Sequence, residues 1–353
     1  MTIKTIGIIG GGQLGRMLAM AASRLNFRTI ILEPQADSPA LQLANRQIVA
    51  AYDDEAALAE LADSCDVVTY EFENVPVGAA RFLEARRPVY PPAKALEVAQ
   101  DRLVEKTFLN DCGIPTAGFR AIDSQADLEA ALVEFGGAGV LKTRRLGYDG
   151  KGQMVFRPGD SADGAYDRLG GVPLILESFI AFEREVSVIA ARGIDGSIAC
   201  FDLAENVHRN GILHTSTLPA QIGERTAAEA RAAAERLLDR LAYVGVIGIE
   251  FFVGADGSLI ANEIAPRVHN SGHWTEAACV ISQFEQHIRA VAGLPLGDPV
   301  RHSDCVMQNL IGDDINAVAD WARESDVLIH LYGKTEPRPG RKMGHVTKLT
   351  GRA

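Results

Sequence analysis

The chain has 353 residues, 47% hydrophobic and 23% charged, with a net charge of −11. This is the composition of a globular protein with room for about two or three domains, not of a disordered chain. The acidic balance argues against nucleic acid as a partner, because phosphate-backbone binding needs a broad basic footprint. No apolar run approaches the ~18 residues of a membrane span. The opening MTIKTIGIIGGGQLG reads as a strand running into glycines, not as a signal peptide. Cys65, Cys112, Cys200, Cys279 and Cys305 are scattered, without the close pairs of zinc or redox sites, which fits a reducing cytoplasm.

Residues 5–9 form a buried-looking strand, and Gly10, Gly12 and Gly15 give the spacing G-x-G-x-x-G before a helical run at 17–25. A second strand, 29–32, ends in Glu33. By itself this is a dinucleotide fingerprint, with an acid placed for a ribose, and it suggests a nicotinamide-dependent oxidoreductase. Strands at 66–70 and 88–90 extend a parallel βαβ domain. In YEFENVP, Glu71 and Glu73 stand where open α/β sheets hold ligand groups; the alternative is an acidic loop capping a helix before Pro76.

A helix at 101–111, closed by Gly113 and Pro115, opens the second segment. Ser124 and Asp127 make a capping box for a helix with Leu128, Ala131, Leu132 and Phe135 on one face. The strand at 138–143 places Lys142 near its end. Gly147, Gly150 and Gly152 then free a hairpin loop whose amides suit a polyphosphate, with Lys151 adding charge. It is not a Walker A loop, since no G-K-S/T and no helix follow. Strands 174–178 and 184–192 carry Glu177 and Glu185, and the alanine-rich helix at 227–243 is scaffold with Leu237, Leu238 and Leu241 as its stripe.

Residues 248–274, GIEFFVGADGSLIANEIAPRVHNSGHW, are the stretch around which the rest is organised. Two β-prone runs flank Gly254, Asp256 and Gly257, so a hairpin is expected. An even-numbered connection keeps Glu250 and Glu263 on one face, Glu250 opposite Ala261 and Glu263 two residues further along, about 7 Å away on the diagonal. A three-residue loop breaks that parity. Two acids so close raise each other's pKa unless a cation lies between them, and carboxylate oxygens suit Mg²⁺ shared with phosphates. A helix at 283–292 ends at Gly293 and Pro295. Strands at 306–311 and 327–332 precede a basic tail in which Lys334, Arg338, Arg341, Lys342, Lys348 and Arg352 face a single acid, Glu336.

With APRVHNSGHW, EFENVP, GYDGKGQ and a terminal YGK followed by RPGRKMGH in this order, the chain resembles the 5-(carboxyamino)imidazole ribonucleotide synthases, ATP-grasp enzymes of purine biosynthesis, over essentially its whole length. The resemblance implies a fold of mixed α/β and α+β class: an N-terminal parallel βαβ pre-ATP-grasp domain (1–100), a two-part ATP-grasp fold (101–295) and a small β-rich C-terminal domain (296–353). It implies joining bicarbonate to the amino group of 5-aminoimidazole ribonucleotide through carboxyphosphate, with ATP and Mg²⁺, in a cytoplasmic homodimer that binds neither nucleic acid nor membrane. On the nucleotide it places Arg102, Lys142, the loop Gly147, Tyr148, Asp149, Gly150, Lys151, Gly152 and Gln153, then Glu177, Ser178, Phe179 and Ile180, and finally Glu185, His208, Asn262 and Glu263. Glu250 and Glu263 hold the metal. Gln13, Leu14, Glu71, Glu73, Asn270, Ser271 and Arg341 belong to the ribonucleotide, while Asp149, Lys151, Arg267, His269 and Lys334 serve the transfer itself.

Two positions depart from the pattern. Ala265 stands where many relatives carry an asparagine that ligates metal, and Lys151 where some carry arginine. A sister ligase that activates formate for glycinamide ribonucleotide is the nearest alternative, and a non-catalytic nucleotide sensor a more distant one. The APRVHNSGHW string and short C-terminus favour the carboxylating enzyme.

Overall fold

The computed structural model describes residues 3–147 and 152–352. Its first sheet is parallel, formed by β1 (Thr5–Ile9), β2 (Arg28–Leu32), β3 (Arg46–Ile48) and β4 (Val67–Tyr70) in the order β3-β2-β1-β4. Residues 88–90 add no strand; Val89 makes one parallel bridge to Val68. The first helix, Gln13–Arg24, starts four residues earlier than the apolar run suggests, so Gly15 lies within its first turn.

The glycine fingerprint is used internally. Glu71 accepts hydrogen bonds from the amides of Gly12 and, at 2.6 Å, Gly15. A Cβ at Gly10 would lie 2.4 Å from the Glu71 side chain, so the glycine there makes room for a protein carboxylate. Glu33, the expected ribose ligand, instead accepts from the Gly11 amide at 2.7 Å and the Tyr52 hydroxyl at 2.6 Å. The helix N-terminus that would attract a pyrophosphate is already neutralised from within. This removes the basis for the nicotinamide reading; Glu71 caps the first helix, whereas the helix that follows Pro76, Val77–Glu84, has no side-chain cap.

A second, antiparallel sheet contains β5 (Phe119–Ile122), β6 (Gly139–Thr143), β7 (Gln153–Phe156) and β8 (Leu174–Ser178), in the order β5-β8-β6-β7. Ser124 caps its helix as expected, its hydroxyl accepting from the Asp127 amide at 3.2 Å, but the reciprocal half of the box is not made: the Asp127 carboxylate accepts from the Asp123 amide instead.

The third sheet has nine strands: β9 (Arg184–Arg192), β10 (Ile198–Cys200), β11 (Ala204–Arg209), β12 (Ile212–Leu218), β13 (Gly245–Val253), β14 (Leu259–Ala265), β15 (Ser303–Ile311), β16 (Val327–Leu331) and β17 (Lys342–Arg352). Their order is β14-β13-β9-β11-β12-β15-β17-β16, with β10 on β9. The C-terminal strands therefore extend the large sheet by pairing β15 with β12. Most of the basic tail is β17, an eleven-residue strand. The hairpin β11–β12 carries a local signal in Asn210-Gly211, whose φ values of 52° and 76° are the left-handed pair a tight hairpin turn requires.

One hydrophobic core runs from β1 and the first helix through Trp274, Phe284 and Ile288 to Val246 and Met307, binding the parallel sheet to the large one. His287, fully buried, spans the same junction: one ring nitrogen meets Thr69 Oγ1 at 2.8 Å and the other accepts from the Val246 amide at 3.1 Å.

Candidate active site

The three sheets meet around a cleft of about 490 Å³. Its floor is the β13–β14 hairpin. Gly254 donates to the Ser258 carbonyl at 2.9 Å, which leaves a three-residue turn, residues 255–257. That odd turn would set Glu250 opposite Asn262 and aim Glu263 away from it. A bulge restores the parity: the register shifts between Glu250 and Phe251, Asn262 drops out, and Glu250 pairs directly with Glu263. The two carboxylates are thus immediate cross-strand partners, the relation a two-residue turn would give, and not the expected diagonal pair.

Their charges are managed by neighbours. Burial and then the charge of Glu263 push the Glu250 carboxyl up. Burial also acts against the charge of Glu263, but Arg102, whose Nη1 lies 3.0 Å from Glu263 Oε2, overrides it and holds Glu263 below the usual carboxylate range. His208 Nδ1 is 2.9 Å from Glu185 Oε2 on one wall. Burial opposes protonation of that histidine, yet its hydrogen bond to Glu185 and the nearby acids raise its pKa.

Beneath the cleft, Lys142 and Lys106 both reach Glu177 Oε2, at 3.0 and 3.1 Å. Lys106 is fully buried and also donates to the Asn262 carbonyl at 3.1 Å, tying this cluster to the hairpin bulge. Burial favours the neutral acid at Glu177, but the two lysines outweigh it and its pKa is lowered. Its other oxygen, Oε1, is buried without a hydrogen-bond partner among the described residues. Glu105, on the same helix as Lys106, is pushed up to about 8 by burial and then by Glu263, and accepts from the Ile264 amide at 2.7 Å.

At the other end, Arg267 pairs with Glu73, bringing the YEFENVP turn against the hairpin. His269 places Nε2 3.7 Å from Glu250 Oε1, and burial, then Arg267, lower its pKa to about 3. Asn270 exchanges amide hydrogen bonds of 2.9 and 2.8 Å with Asn309.

Of the residues singled out from sequence, Gln13, Leu14, Glu73, Arg102, Lys142, Gly147, Gln153, Glu185, His208, Glu250, Asn262, Glu263, Arg267, His269 and Asn270 line this one cleft. Tyr148, Asp149, Gly150 and Lys151 lie outside the described residues. Several others are placed elsewhere. Glu71 caps the first helix, and Ser271 is fully buried behind His269, whose Nδ1 is 2.8 Å from its hydroxyl. Gly152 turns at the foot of β7 with φ +71°, and its carbonyl accepts from Thr143. Glu177 and Ser178 lie in strand β8; Ser178 donates its amide to Gly118. Beyond the strand end, Phe179 is 54% exposed and Ile180 half-buried, and Phe182 is the aromatic that reaches the cleft, stacked on Phe252 at 4.5 Å.

Among the tail residues, two make hydrogen bonds within the tail itself. Lys334 donates to the Lys342 carbonyl at 2.8 Å, and Arg341 donates to the Glu336 carbonyl at 2.9 Å. Lys342, the first residue of β17, lines the cleft instead. Strand alternation sends neighbours to opposite sides, and the sequence could not show where β17 begins. Glu105, Arg144 and Lys342 line the cleft, and Lys106 lies buried beneath it, without a motif in the sequence that marks them.

Carboxylates paired across a hairpin, cations at the opposite wall and an acidic acceptor beneath them make a site for neutralising and positioning phosphates. Comparison with known proteins points the same way. Family models match residues 3–100 as a ribonucleotide synthetase preATP-grasp domain, 107–284 as an ATP-grasp domain and 305–352 as a phosphoribosylaminoimidazole carboxylase C-terminal domain. The chain is 65% identical to the N5-carboxyaminoimidazole ribonucleotide synthase of Brucella melitensis, over 99% of this chain and 97% of that one. It is 49% identical to the Pseudomonas aeruginosa enzyme of the same name, over 97% and 93%. Among solved structures, an ADP complex of an N5-carboxyaminoimidazole ribonucleotide synthetase superposes with a TM-score of 0.95 at 44% identity, over 99% of this chain and 94% of that chain. The Aspergillus clavatus enzyme in complex with ADP and 5-aminoimidazole ribonucleotide gives 0.91 at 30% identity, over 99% and 94%.

Proposed function

The chain belongs to the N5-carboxyaminoimidazole ribonucleotide synthase family of ATP-grasp ligases, and on that premise we propose how its own residues divide the ATP-dependent carboxylation of 5-aminoimidazole ribonucleotide. The observation that carries the division is the direct pairing of Glu250 with Glu263, placed between the lysine cluster at one end and Arg267 with His269 at the other.

ATP takes the end of Lys142 and Glu177. The unpartnered Glu177 Oε1 is a buried acceptor suited to an amine such as that of adenine, and Arg102 and Lys142 supply positive charge for the phosphates. Glu250 and Glu263 fit a hard cation: two facing carboxylates, too few to enclose it, leave positions for phosphate oxygens. Mg²⁺ held there would neutralise charge on the transferring phosphoryl group. With Ala265 two residues beyond Glu263, that position offers no side-chain ligand.

A bicarbonate oxygen attacks the γ-phosphorus and ADP departs, giving carboxyphosphate. The ribonucleotide amine then attacks the carboxyl carbon, inorganic phosphate leaves with the electrons of the broken C–O bond, and the amine gives up a proton. Arg267 and His269 stand where that carboxyl group passes, and Gln13, Leu14, Glu73 and Asn270 where the ribonucleotide lies. Asp149 and Lys151 are assigned to the transfer from their place in the glycine loop. The three parts 1–100, 101–295 and 296–353 each give residues to the cleft. A homodimer in a reducing cytoplasm completes the reading, and the five free cysteines suit that compartment.

The test is phosphate release from ATP with 5-aminoimidazole ribonucleotide and with glycinamide ribonucleotide, each with bicarbonate or formate. Release that requires the first acceptor and bicarbonate is expected; release with glycinamide ribonucleotide and formate would assign the sister reaction. A second prediction concerns the 5′-phosphate, which we assign to Lys342. Lys342→Ala should raise the KM for the ribonucleotide about tenfold to a hundredfold, the scale of a charge-assisted hydrogen bond of roughly 1.5 to 3 kcal/mol. Arg341→Ala should change it by less than about threefold. Steady-state kinetics with each substrate varied decides between the two residues.

A further inference from the structure

Four buried side chains that make no contact with the cleft form a hydrogen-bonded line ending on His269. They are Ser216 on β12, Asn206 on β11, Ser187 on β9 and Ser271, which follows the hairpin. Ser216 Oγ donates to Asn206 Oδ1 at 2.7 Å, Asn206 Nδ2 donates to Ser187 Oγ at 2.9 Å, and Ser187 Oγ donates to Ser271 Oγ at 2.7 Å. Ser271 Oγ is 2.8 Å from His269 Nδ1.

The chemistry of these groups gives the line a direction. An amide nitrogen only donates, so the Ser187 oxygen receives from Asn206 and its single proton goes to Ser271. Ser271 receives that proton and spends its own on Nδ1. A second donor converges on the same nitrogen, the backbone amide of Ser271 at 3.4 Å. A ring nitrogen facing two donors carries no hydrogen, so the ring's proton lies on Nε2, which faces Glu250 across 3.7 Å at the cleft.

The backbone that carries the ring is also held in place. Gln283, fully buried, clasps the His269 peptide from both sides: its Oε1 accepts from the amide at 2.9 Å and its Nε2 donates to the carbonyl at 2.7 Å. Glycines give the space for this, since a Cβ at Gly248 would lie 2.7 Å from His269 Cβ and one at Gly272 would lie 2.7 Å from Gln283 Oε1. Buried polar groups cost stability unless all are satisfied, and this line is satisfied only in one orientation.

We infer that Ser216, Asn206, Ser187 and Ser271 are positioning residues that fix the tautomer of His269, so that it presents an Nε2–H donor to the carboxyl group in transfer and does not act there as a base. The tautomer stands on the geometry alone. Its use in the reaction rests on the placement of His269 at the carboxyl-transfer end proposed above.

The test is the ¹⁵N spectrum of histidine-labelled protein, with the His269 signals identified by their loss in His269→Asn. The bare-Nδ1, protonated-Nε2 pattern is expected near neutral pH; an Nδ1–H pattern, or protons on both nitrogens, would overturn the inference without any further variant. Asn206→Asp keeps the shape but accepts on both oxygens. It draws the Ser187 proton away from Ser271 and reverses the line, so the His269 proton should move to Nδ1. Product formation should then fall in kcat roughly tenfold or more, with the KM for ATP within about threefold, as a wrong tautomer costs turnover more than binding. A moved proton with unchanged kcat would remove the line from catalysis. If the Asn206→Asp protein does not fold, Ser271→Ala removes the nearer of the two donors and leaves only the backbone amide at 3.4 Å, so part of the His269 population should carry its proton on Nδ1; an unchanged tautomer would show that the line does not set it. Wild-type carboxylation by His269→Asn would overturn the placement of His269 and leave the tautomer standing.

Discussion

Glu263→Gln is expected to lower kcat about a thousandfold while the protein folds normally. Glutamine keeps the shape, the place in β14 and an oxygen that accepts from Arg102, now 3.0 Å away. It lacks the charge that a cation facing Glu250 requires. Losing one of two carboxylates that neutralise phosphoryl transfer costs several kcal/mol of transition-state stabilisation, and about 4 kcal/mol corresponds to that factor. Glu250 loses the neighbouring negative charge that helps to raise its pKa, so its carboxyl should titrate lower in the variant. Turnover measured across a magnesium titration, with the thermal midpoint alongside, decides the matter. Near-wild-type kcat at saturating magnesium would remove Glu263 from the metal site.

The second large effect is expected at a residue far less conspicuous in the sequence. Lys106→Met fills nearly the same volume but deletes an ammonium that is fully buried between Glu177 and the Asn262 carbonyl. Lys142 alone would then balance Glu177, and one buried carbonyl would lose its donor. Breaking a buried ion pair from one side costs about 3 kcal/mol or more. The damage should reach the nucleotide, since Lys106 joins the Glu177 cluster to the bulge that aligns Glu250 with Glu263. The KM for ATP is expected to rise about tenfold, the worth of one charged hydrogen bond. Denaturant unfolding and ATP-dependent kinetics check both halves. Wild-type stability with wild-type ATP kinetics would reduce Lys106 to a spectator.

Much of the architecture was legible from local pattern. Strands β1, β8 and β9 fall where apolar runs place them, and the helices at Arg102–Asp111 and Gln125–Glu134 begin at the caps Asp101 and Ser124. These features depend on residues a few positions apart, and sequence records such neighbours directly. Motif strings identified the family for a similar reason: APRVHNSGHW holds Ala265, Arg267, His269, Asn270 and His273, five cleft residues, within one short segment.

What the sequence left open depends on register and on contacts between distant segments. Hairpin parity gave the right pair of acids but the wrong relation between them, because the bulge at Asn262 adds a residue that no local signal announced. Glycines 10, 12 and 15 fit a dinucleotide site as well as they fit Glu71, and only folding brings Glu71, 56 residues beyond Gly15, onto those amides. Lys342 was hidden in a run of basic residues until β17 chose which of them faces the cleft. Lys106 and the line from Ser216 to His269 look like ordinary polar positions along the chain. Their importance comes from burial, where a polar group without a partner is costly, and only the tertiary structure decides which partners are brought within reach.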